Sequence, residues 1–368
     1  MTSTKTKTST KNKKTTKSKK TARKRTLLIV ESPSKAKVIG KYLGPSYNVL
    51  ASVGHVRDLP KSRLGIDIEN QFEPGYINIR GKGDKIKELK KAAASASRVL
   101  LATDPDREGE AISWHLAYLL DIDPKSECRI VFNEINKEAV KEAIKHPRSI
   151  DMGLVDAQQA RRVLDRLVGY QISPLLWQKV RRGLSAGRVQ SAALKMICDR
   201  ENEIKSFIPE EYWTITADYG DNFNASLSKY KGEDIRITKA EEADNIEKQL
   251  SAGRFVVESV KTGKRKPKPY APFTTSSLQQ DASIKLNFQT KKTMQIAQQL
   301  YEGIDVKGIG TRGLITYLRT DSVRISSTAK EAASEFIANK FGKEYCSNNS
   351  FSNKNKDIQD AHEAIRPT

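Results

Sequence analysis

The chain has 368 residues, of which 37% are apolar and 30% are charged, and its formal net charge is +21. Single hydrophobic cores stop growing at about 250 to 300 residues, so this length predicts more than one domain. The basic excess favours a polyanionic partner such as nucleic acid, and no apolar run approaches the roughly 18 residues that a membrane span needs.

The basic residues are concentrated at the start of the sequence. Residues 1–25 carry eleven Lys or Arg and no acid, which leaves a net charge of about +10 for the rest of the chain. This segment is nearly devoid of apolar residues, so it cannot offset the entropy lost on folding. We expect a disordered tail with weak affinity for DNA.

Two segments have the pattern of a strand followed by a tight turn and a helix. An apolar run at 27–30 leads into Glu31 and a helical pattern that continues to Lys41. A second apolar run at 99–103 leads into an acidic turn and a helical pattern at 111–120. Repeated units of this kind predict an open parallel sheet in an α/β domain.

The remainder alternates between helical and strand patterns. Residues 155–207 have a helical period that we expect to be interrupted at Ser173 and Pro174 and again around Gly183 and Gly187. Alternation at Trp213, Ile215 and Ala217, and later at Phe255 and Val257, predicts strands, and 261–272 is a basic, proline-rich connector. The predicted organisation is a tail, an α/β domain with an excursion near 59–85, a helical region, a β-rich segment and a final domain, at residues 1–25, 26–150, 151–208, 209–272 and 273–368.

Acidic residues follow both predicted strands. Glu31 comes after the first, and Asp104, Asp106 and Glu108 come after the second. Because ligands bind at the carboxyl ends of parallel strands, we expect these groups to converge. Oxygen ligands select a hard cation, and Mg²⁺ suits phosphate chemistry. The alternative for Asp104 and Glu108 is that they only complement the dipole of the following helix.

The same residues carry a resemblance to a known family. The runs IVESPSKAK (29–37) and DPDREGE (104–110) resemble the toprim domain of type IA DNA topoisomerases. The resemblance implies that Glu31, Asp104 and Asp106 bind Mg²⁺, that Glu108 is catalytic, and that Lys35 lies beside the scissile phosphate. Toprim domains also occur in bacterial primases, type II topoisomerases and small nucleases, so these residues leave the enzyme open.

A second motif is more specific. The run GLITYLRTDS (313–322) is similar to the active-site motif of type IA topoisomerases, with Tyr317 as the nucleophile and Arg319 beside the scissile phosphate. A phenol with a pKa near 10 needs cations or a proton acceptor to attack at neutral pH. We expect Asp321 to orient a neighbour, and the resemblance implies that His362, in AHEAIRPT, lies near the catalytic centre as a phosphate or proton partner.

The segment 158–191 is similar to the family's helical region that guides single-stranded DNA to the active site, and GHVRDLP (54–60) matches a further family motif near DNA. Such grooves combine phosphate contacts with base stacking. The predicted DNA-binding residues, besides Arg319, are His55, Arg57, Arg161, Arg162, Asp165, Arg166, Ser185, Ala186, Gly187, Arg188, Val189 and Gln190. A solvated basic helix surface is the alternative for the arginines.

Together these motifs imply ATP-independent relaxation of negatively supercoiled DNA through a transient 5′-phosphotyrosine, and the sequence contains no P-loop for a nucleotide triphosphate. The motif forms ITYLRTDS and AHEAIRPT resemble the bacterial topoisomerase I branch of the family more than the topoisomerase III branch. Three isolated cysteines, Cys128, Cys198 and Cys346, favour the reducing cytosol, and we expect a monomer on nucleoid DNA. The fold expected is the toprim domain followed by helical and β-containing parts of an incomplete toroid.

Family members continue beyond AHEAIRPT, so we expect a C-terminally truncated chain whose own activity is open. Two alternatives follow: a fragment that binds single-stranded DNA without turnover, and a toprim primase or nuclease. A covalent adduct on Tyr317 distinguishes the topoisomerase from both.

Overall fold

The computed structural model describes residues 25–220, 223–265, 269–346, 351 and 363–368. Contacts divide the chain into two units, which are described separately: Met1–Tyr170 with Tyr270–Thr368, and Gln171–Pro269. The division falls inside the predicted helical region 151–208, and the predicted domain boundaries stay predictions. Of the predicted tail, only Arg25 lies within the described residues.

Helices and strands alternate through the first part of the chain and again near its end. The helices found in the described residues are α1 (Pro33–Leu43), α2 (Gly83–Ser95), α3 (Arg107–Leu120), α4 (Lys137–Lys145), α5 (Met152–Lys179), α6 (Arg188–Ser206), α7 (Ala240–Ser251), α8 (Thr275–Leu286), α9 (Thr290–Glu302) and α10 (Ser327–Lys340), with a 3₁₀ turn at Lys343–Tyr345. The strands are β1 (Thr26–Val30), β2 (Tyr47–Ala51), β3 (Arg57–Asp58), β4 (Ile66–Asp67), β5 (Glu73–Pro74), β6 (Ile77–Asn78), β7 (Arg98–Leu101), β8 (Thr216–Asp218), β9 (Asn224–Ser226), β10 (Lys229–Tyr230), β11 (Glu233–Asp234), β12 (Ile304–Val306) and β13 (Gly310–Arg312).

A parallel sheet with the order β2-β1-β7 organises the first unit. In β1, Thr26 is level with Tyr47 of β2 on one side and Arg98 of β7 on the other. A parallel bridge from Leu101 to Arg129 continues the sheet beyond β7. The expected α/β domain with strand, turn and helix units is therefore confirmed.

Both faces of this sheet are covered by apolar packing. Alternate residues of β1 point to opposite faces, as strand geometry requires: Leu28 and Val30 join one buried cluster, and Leu27 and Ile29 join the other. The first cluster also contains Tyr301 of α9 and Tyr317. The segment with the predicted nucleophile therefore packs directly on the sheet that carries the acidic residues.

The second unit has a small core and corrects one expectation. It contains an antiparallel pair β8–β9. Buried Ile237 packs with Ala243 and Ile246 of α7, and the partly buried side chains against this core are Ile215, Leu227, Ile235 and Leu250. The predicted strand at Phe255 and Val257 is wrong: the segment is irregular, and these side chains are 53% and 72% exposed. Strand propensity depends on packing against neighbouring strands, and no described strand pairs with this segment.

Helix α5 corrects a second expectation. The predicted interruption at Ser173 and Pro174 is wrong, because α5 continues through Pro174 to Lys179. A proline removes one helical hydrogen bond, a local loss that a long helix can tolerate. The later interruption is confirmed, since α5 ends at Lys179 and α6 begins at Arg188.

Candidate active site

Four acidic residues line one cleft at the carboxyl ends of β1 and β7. Glu31 follows β1, and its Oε1 accepts a hydrogen bond of 2.7 Å from the backbone N–H of Asp104. The two strand ends are therefore joined directly. The cleft has a volume of about 400 Å³ and is lined by Glu31, Asp104, Asp106, Glu108, Met294, Gln295, Gln298, Leu318 and Arg319.

The turn that carries the aspartates is fixed by the start of α3. Asp106 is the N-cap residue, and its Oδ1 accepts a hydrogen bond of 2.8 Å from the backbone N–H of Gly109. A Cβ atom at Gly109 would overlap the backbone carbonyl of Asp104. Glycine is therefore required at this position so that α3 can approach the turn.

Lys35 is completely buried on the first turn of α1 and forms an ion pair with Asp104. Its Nζ also lies 5.1 Å from the centre of the Tyr301 ring. In this arrangement Lys35 offsets the charge of Asp104 from beneath the cleft. Its predicted place beside a scissile phosphate stays a prediction.

Tyr317 is only 3% exposed and faces the acidic turn. Its hydroxyl donates a hydrogen bond of 2.5 Å to Oδ2 of Asp106. Arg319 approaches the same oxygen, with Nη1 at 3.3 Å, and remains largely exposed on the other side. The predicted nucleophile, its arginine neighbour and a predicted Mg²⁺ ligand are thus in direct contact.

Neighbouring segments hold the backbone around Tyr317. The N–H of Tyr317 donates to the carbonyl of Asn133 at 2.8 Å, and the N–H of Thr316 donates to the carbonyl of Arg366 at 3.0 Å. A Cβ at Gly313 would lie 2.7 Å from the carbonyl oxygen of Tyr301, so this glycine permits close packing on α9. The predicted nucleophile therefore lies on a segment that is held by backbone hydrogen bonds to two distant parts of the chain.

Burial and like charges set the protonation of the cleft. Burial, followed by the charge of Asp104, raises the pKa of Glu31 to about 7. Burial, together with Asp104 and Asp106, also raises the pKa of the Tyr317 hydroxyl well above its ordinary value. Both shifts show that the cleft disfavours additional negative charge, so the phenolate of Tyr317 requires added positive charge.

The donor set fits a hard cation such as Mg²⁺, because it consists of carboxylate oxygens in one cleft and its negative charge is incompletely offset. Among the described residues, however, no three His, Cys, Asp or Glu side chains form a preassembled metal site. The contacts give the reason, since Asp104 is turned to Lys35 and Asp106 to Tyr317. Coordination by Glu31, Asp104 and Asp106 would require these carboxylates to reorient.

A second cleft of about 340 Å³ adjoins the first through Glu108, which lines both. Gln158 of α5 donates to Glu108 at 3.1 Å, and Nε2 of His55 lies 3.5 Å from the same carboxylate. The hydrogen bond from His55, which outweighs burial, lowers the pKa of Glu108 to about 2. The second cleft is lined by His55, Arg57, Asp58, Tyr76, Glu108, His115, Gln158, Arg161, Arg162 and Asp165.

The arginines predicted to bind DNA differ in how strongly they interact with other side chains of the protein. Arg162 forms a two-pronged pair with Asp58, with contacts of 2.9 and 2.7 Å. Arg166 is buried and stacks on Tyr170. Arg57 stacks on Tyr118, whose ring centre lies 3.8 Å away. Arg161 is exposed, and its Nε lies 3.9 Å from Oδ2 of Asp165.

The remaining predicted DNA contacts lie in the second unit, in the loop between α5 and α6. This loop is held to α5 by a hydrogen bond of 3.0 Å from the N–H of Ala186 to Oγ of Ser173, and by one of 2.5 Å from Nε1 of Trp177 to the carbonyl of Leu184. Ser185 and Ala186 precede Gly187, which caps α6, and the first turn of α6 supplies Arg188, Val189 and Gln190.

The predicted roles of Asp321 and His362 are not tested by the structure. Asp321 is exposed, and its orienting role stays a prediction. His362 lies outside the described residues.

Sequence reasoning missed two residues of the site: Tyr301, whose ring packs edge to face against that of Tyr317 with 5.2 Å between ring centres, and Arg129, which donates a hydrogen bond to the backbone carbonyl of Asp104 in the acidic turn. Arg129 stands alone within the apolar run CRIVF (128–132), and a lone charge in such a run is a signal of a buried ion pair.

Comparisons with known proteins agree with both motifs. Residues 26–135 match the toprim domain family, and residues 149–368 match the DNA topoisomerase family. The chain is also similar to the solved structure of full-length topoisomerase I from Thermotoga maritima, with 47% identity and a TM-score of 0.78. The match covers 93% of this chain and 55% of that one, so the chain spans about half the length of this relative. No helix in the described residues is both long and apolar enough to cross a membrane.

Proposed function

The chain belongs to the bacterial type IA DNA topoisomerase family, and from this we propose that it cuts one strand of DNA through Tyr317 and rejoins it. The observation that carries the proposal is the contact between the Tyr317 hydroxyl and Asp106 at the edge of a cleft shared by Glu31 and Asp104. This contact supports the proposal because it brings a candidate nucleophile, a candidate proton acceptor and candidate cation ligands within one site.

In the proposed reaction, the oxygen of Tyr317 attacks a backbone phosphorus of single-stranded DNA. The new bond joins Tyr317 to the 5′ phosphate, and the bond from phosphorus to the 3′ oxygen breaks. The phenolic proton passes to Asp106, which already accepts it in a hydrogen bond. Before a cation binds, Glu31, whose pKa near 7 keeps it partly protonated at neutral pH, supplies a proton to the departing 3′ oxygen.

Arg319 has the position to bind the attacked phosphate. Its guanidinium contacts Asp106 on one side and is largely exposed on the other, so a phosphate in the cleft would meet a fixed positive charge. A bound Mg²⁺, held by Glu31, Asp104 and Asp106, would supply further positive charge next to the phosphate. The raised pKa of Tyr317 keeps its hydroxyl protonated until positive charge enters the cleft.

The phosphotyrosine bond retains the energy of the broken phosphodiester, so rejoining needs no nucleotide triphosphate. We propose that the parent protein uses this step to relax negatively supercoiled DNA by passing a strand through the break. The DNA strand would follow the second cleft, where His55, Arg57 and Arg161 can contact phosphates. We also propose a monomer that acts in the cytoplasm on nucleoid DNA.

Two other functions remain as alternatives. A toprim primase or nuclease would use the same acidic cleft to produce RNA primers or free cleaved ends. A fragment that only binds DNA would show salt-sensitive binding without products. The direct contact between Tyr317 and Asp106 favours the topoisomerase, because neither alternative needs a buried tyrosine at the cation site.

The products of one reaction separate these functions. The chain is incubated with single-stranded oligonucleotide labelled at its 3′ end and Mg²⁺, denatured, and resolved on a gel before and after protease digestion. The proposal predicts label that migrates with the protein and is released by protease with a residual peptide. Free cleaved ends or primers would support the primase or nuclease, and binding without either product would support the inactive fragment.

A further inference from the structure

The carboxylate of Glu110 lies on α3 beneath the acidic turn and is only 1% exposed. It accepts four hydrogen bonds: from Nε of Arg129 at 2.9 Å, from Nη1 and Nη2 of Arg148 at 2.8 and 3.0 Å, and from the backbone N–H of Asp151 at 2.7 Å. These contacts outweigh its burial and lower the pKa of Glu110, so it is ionised at neutral pH. A fully satisfied buried carboxylate of this kind fixes its partners in one arrangement.

The contact of Glu110 with Arg129 connects it to the candidate cation site. Arg129 is fully buried, and besides Glu110 it donates hydrogen bonds of 2.7 Å to the backbone carbonyls of both Thr103 and Asp104. These residues belong to the carboxylate loop, defined here as residues 102–106 between β7 and α3. The charge of Glu110 orients Arg129, and Arg129 sets the backbone of this loop.

The other contacts of Glu110 lead to α5. Arg148 and Asp151 lie on the segment that enters α5 at Met152, and Oδ1 of Asp151 accepts a hydrogen bond of 3.2 Å from the N–H of Leu154 in its first turn. Farther along, α5 carries Gln158 and Arg161, which line the second cleft. A shift at the start of α5 would therefore be felt by both Glu110 and the residues that face this cleft.

We propose that Glu110 is a positioning residue that couples DNA binding on α5 to the conformation of the carboxylate loop. The inference rests on the proposed function, because it takes the second cleft as a DNA-binding site. Glu110 touches neither DNA nor cation. Through Arg148 and Asp151 it contacts the segment that enters α5, and through Arg129 it contacts the carboxylate loop. DNA bound along α5 would therefore favour one arrangement of Asp104 and Asp106.

Hydrogen–deuterium exchange tests this coupling without requiring cleavage. The chain with Tyr317→Phe is measured in EDTA, with and without a single-stranded oligonucleotide, and exchange is followed in peptides that cover the carboxylate loop. We expect DNA to slow exchange in these peptides. Adding Arg148→Gln, which removes the exposed partner of Glu110 and leaves its Arg129 contact, should remove at least half of this slowing without changing oligonucleotide affinity in fluorescence anisotropy.

Two further variants keep the test decisive. Arg98→Gln is the matched control: Arg98 makes one hydrogen bond of 3.0 Å to the carbonyl of Glu127 at the opposite end of β7, so the full slowing should persist. Arg148→Lys keeps a charged donor to Glu110 and should give an intermediate effect. It replaces the Gln variant if that one does not fold.

The proposal is overturned if DNA does not slow exchange in the Tyr317→Phe chain, or if Arg148→Gln binds DNA and keeps the full slowing. Hydrogen exchange is measured without DNA cleavage, so this experiment tests the coupling even if the proposed cleavage by Tyr317 does not occur.

Discussion

The hydroxyl of Tyr317 donates a 2.5 Å hydrogen bond to Oδ2 of Asp106, whose Oδ1 caps α3 at Gly109. The proposed nucleophile is therefore tied to a carboxylate that is also a proposed Mg²⁺ ligand. A cation that draws Asp106 toward itself would change the environment of Tyr317 in the same step. This relationship makes Asp106 the most informative acidic residue to vary.

Asp106→Asn should reduce formation of the covalent adduct by about 100-fold, at the low end of the range for loss of a general base. Asparagine keeps one acceptor oxygen that can still cap α3 at Gly109, so the fold should be retained, whereas the amide nitrogen in place of Oδ2 cannot accept the Tyr317 hydrogen bond. Its neutral amide is a poor proton acceptor and a weaker Mg²⁺ ligand. Adduct formation is measured over time at several Mg²⁺ concentrations. Asp84→Asn, which alters a fully exposed acid near the start of α2, is the control and should leave the rate unchanged; an unchanged rate for Asp106→Asn would remove Asp106 from the reaction.

Binding of Mg²⁺ should release protons near neutral pH. Burial and the charge of Asp104 raise the pKa of Glu31 to about 7, so about half of the chains carry a proton on Glu31 at pH 7. A cation favours the ionised form and displaces this proton. Isothermal titration calorimetry at pH 7, in buffers with different ionisation enthalpies, should show release of about half a proton per Mg²⁺, falling toward zero at pH 9. Glu31→Gln should bind Mg²⁺ more weakly and release none; proton release that persists in this variant would assign it to another group.

His115 should make the stability of the chain depend on pH. Burial, followed by the charges of Arg57 and His55, lowers the pKa of His115 from 6.5 to about 3. The unfolded chain binds the proton more readily, so the stabilisation is fully present above pH 6.5 and is lost as the pH falls toward 3. Between pH 7 and pH 5 the free energy of unfolding should decrease by about 2 kcal/mol from this group alone. Urea unfolding is compared with His115→Phe, which keeps an aromatic ring against Tyr76 and Trp114; equal pH dependence in the two proteins would contradict the prediction.

Arg161 and Arg162 are neighbours in sequence, but their substitutions should have different effects. Arg161 is exposed and only weakly paired, so Arg161→Gln should reduce the salt dependence of single-stranded DNA binding by about 0.7 in the log–log slope, as expected for one lost phosphate contact. Arg162 holds Asp58 in a two-pronged pair, so Arg162→Gln should also cost about 1 kcal/mol of folding stability, a modest value because the pair is partly exposed to solvent. Anisotropy titrations at several salt concentrations and urea unfolding measure the two effects. Loss of stability in Arg161→Gln, with no change of slope, would reverse the assignment.

The sheet and the acidic cleft were predictable from sequence because their signals are local. Buried runs at 27–30 and 99–103 fix the two parallel strands, and an acid directly after each strand must lie at the same edge of the sheet. The contact between Tyr317 and Asp106 joins residues 211 positions apart, so spacing alone could not have given it. The sequence indicated that Tyr317 and Asp106 share a site only because the two motifs that contain them resemble the same family.

Features that depend on long-range packing were the ones that sequence reasoning missed. Pro174 favours a break, yet α5 continues through it. Phe255 and Val257 alternate as in a strand, but a strand also needs a neighbour, which local pattern cannot supply. The pairing of Lys35 with Asp104, which accompanies the complete burial of Lys35, also joins distant parts of the chain and could not be read from local pattern.

The most direct test of the central claim compares the chain with its Tyr317→Phe variant in the adduct assay, followed by mass spectrometry of the peptide that carries the label. The substitution removes one hydroxyl and keeps the ring packed against Tyr301, so folding and DNA affinity should be nearly unchanged. We predict a covalent DNA adduct in the unaltered chain, located on Tyr317, and none in Tyr317→Phe. An adduct of equal yield in Tyr317→Phe, or one located on another residue, would contradict the assignment of Tyr317 as the nucleophile.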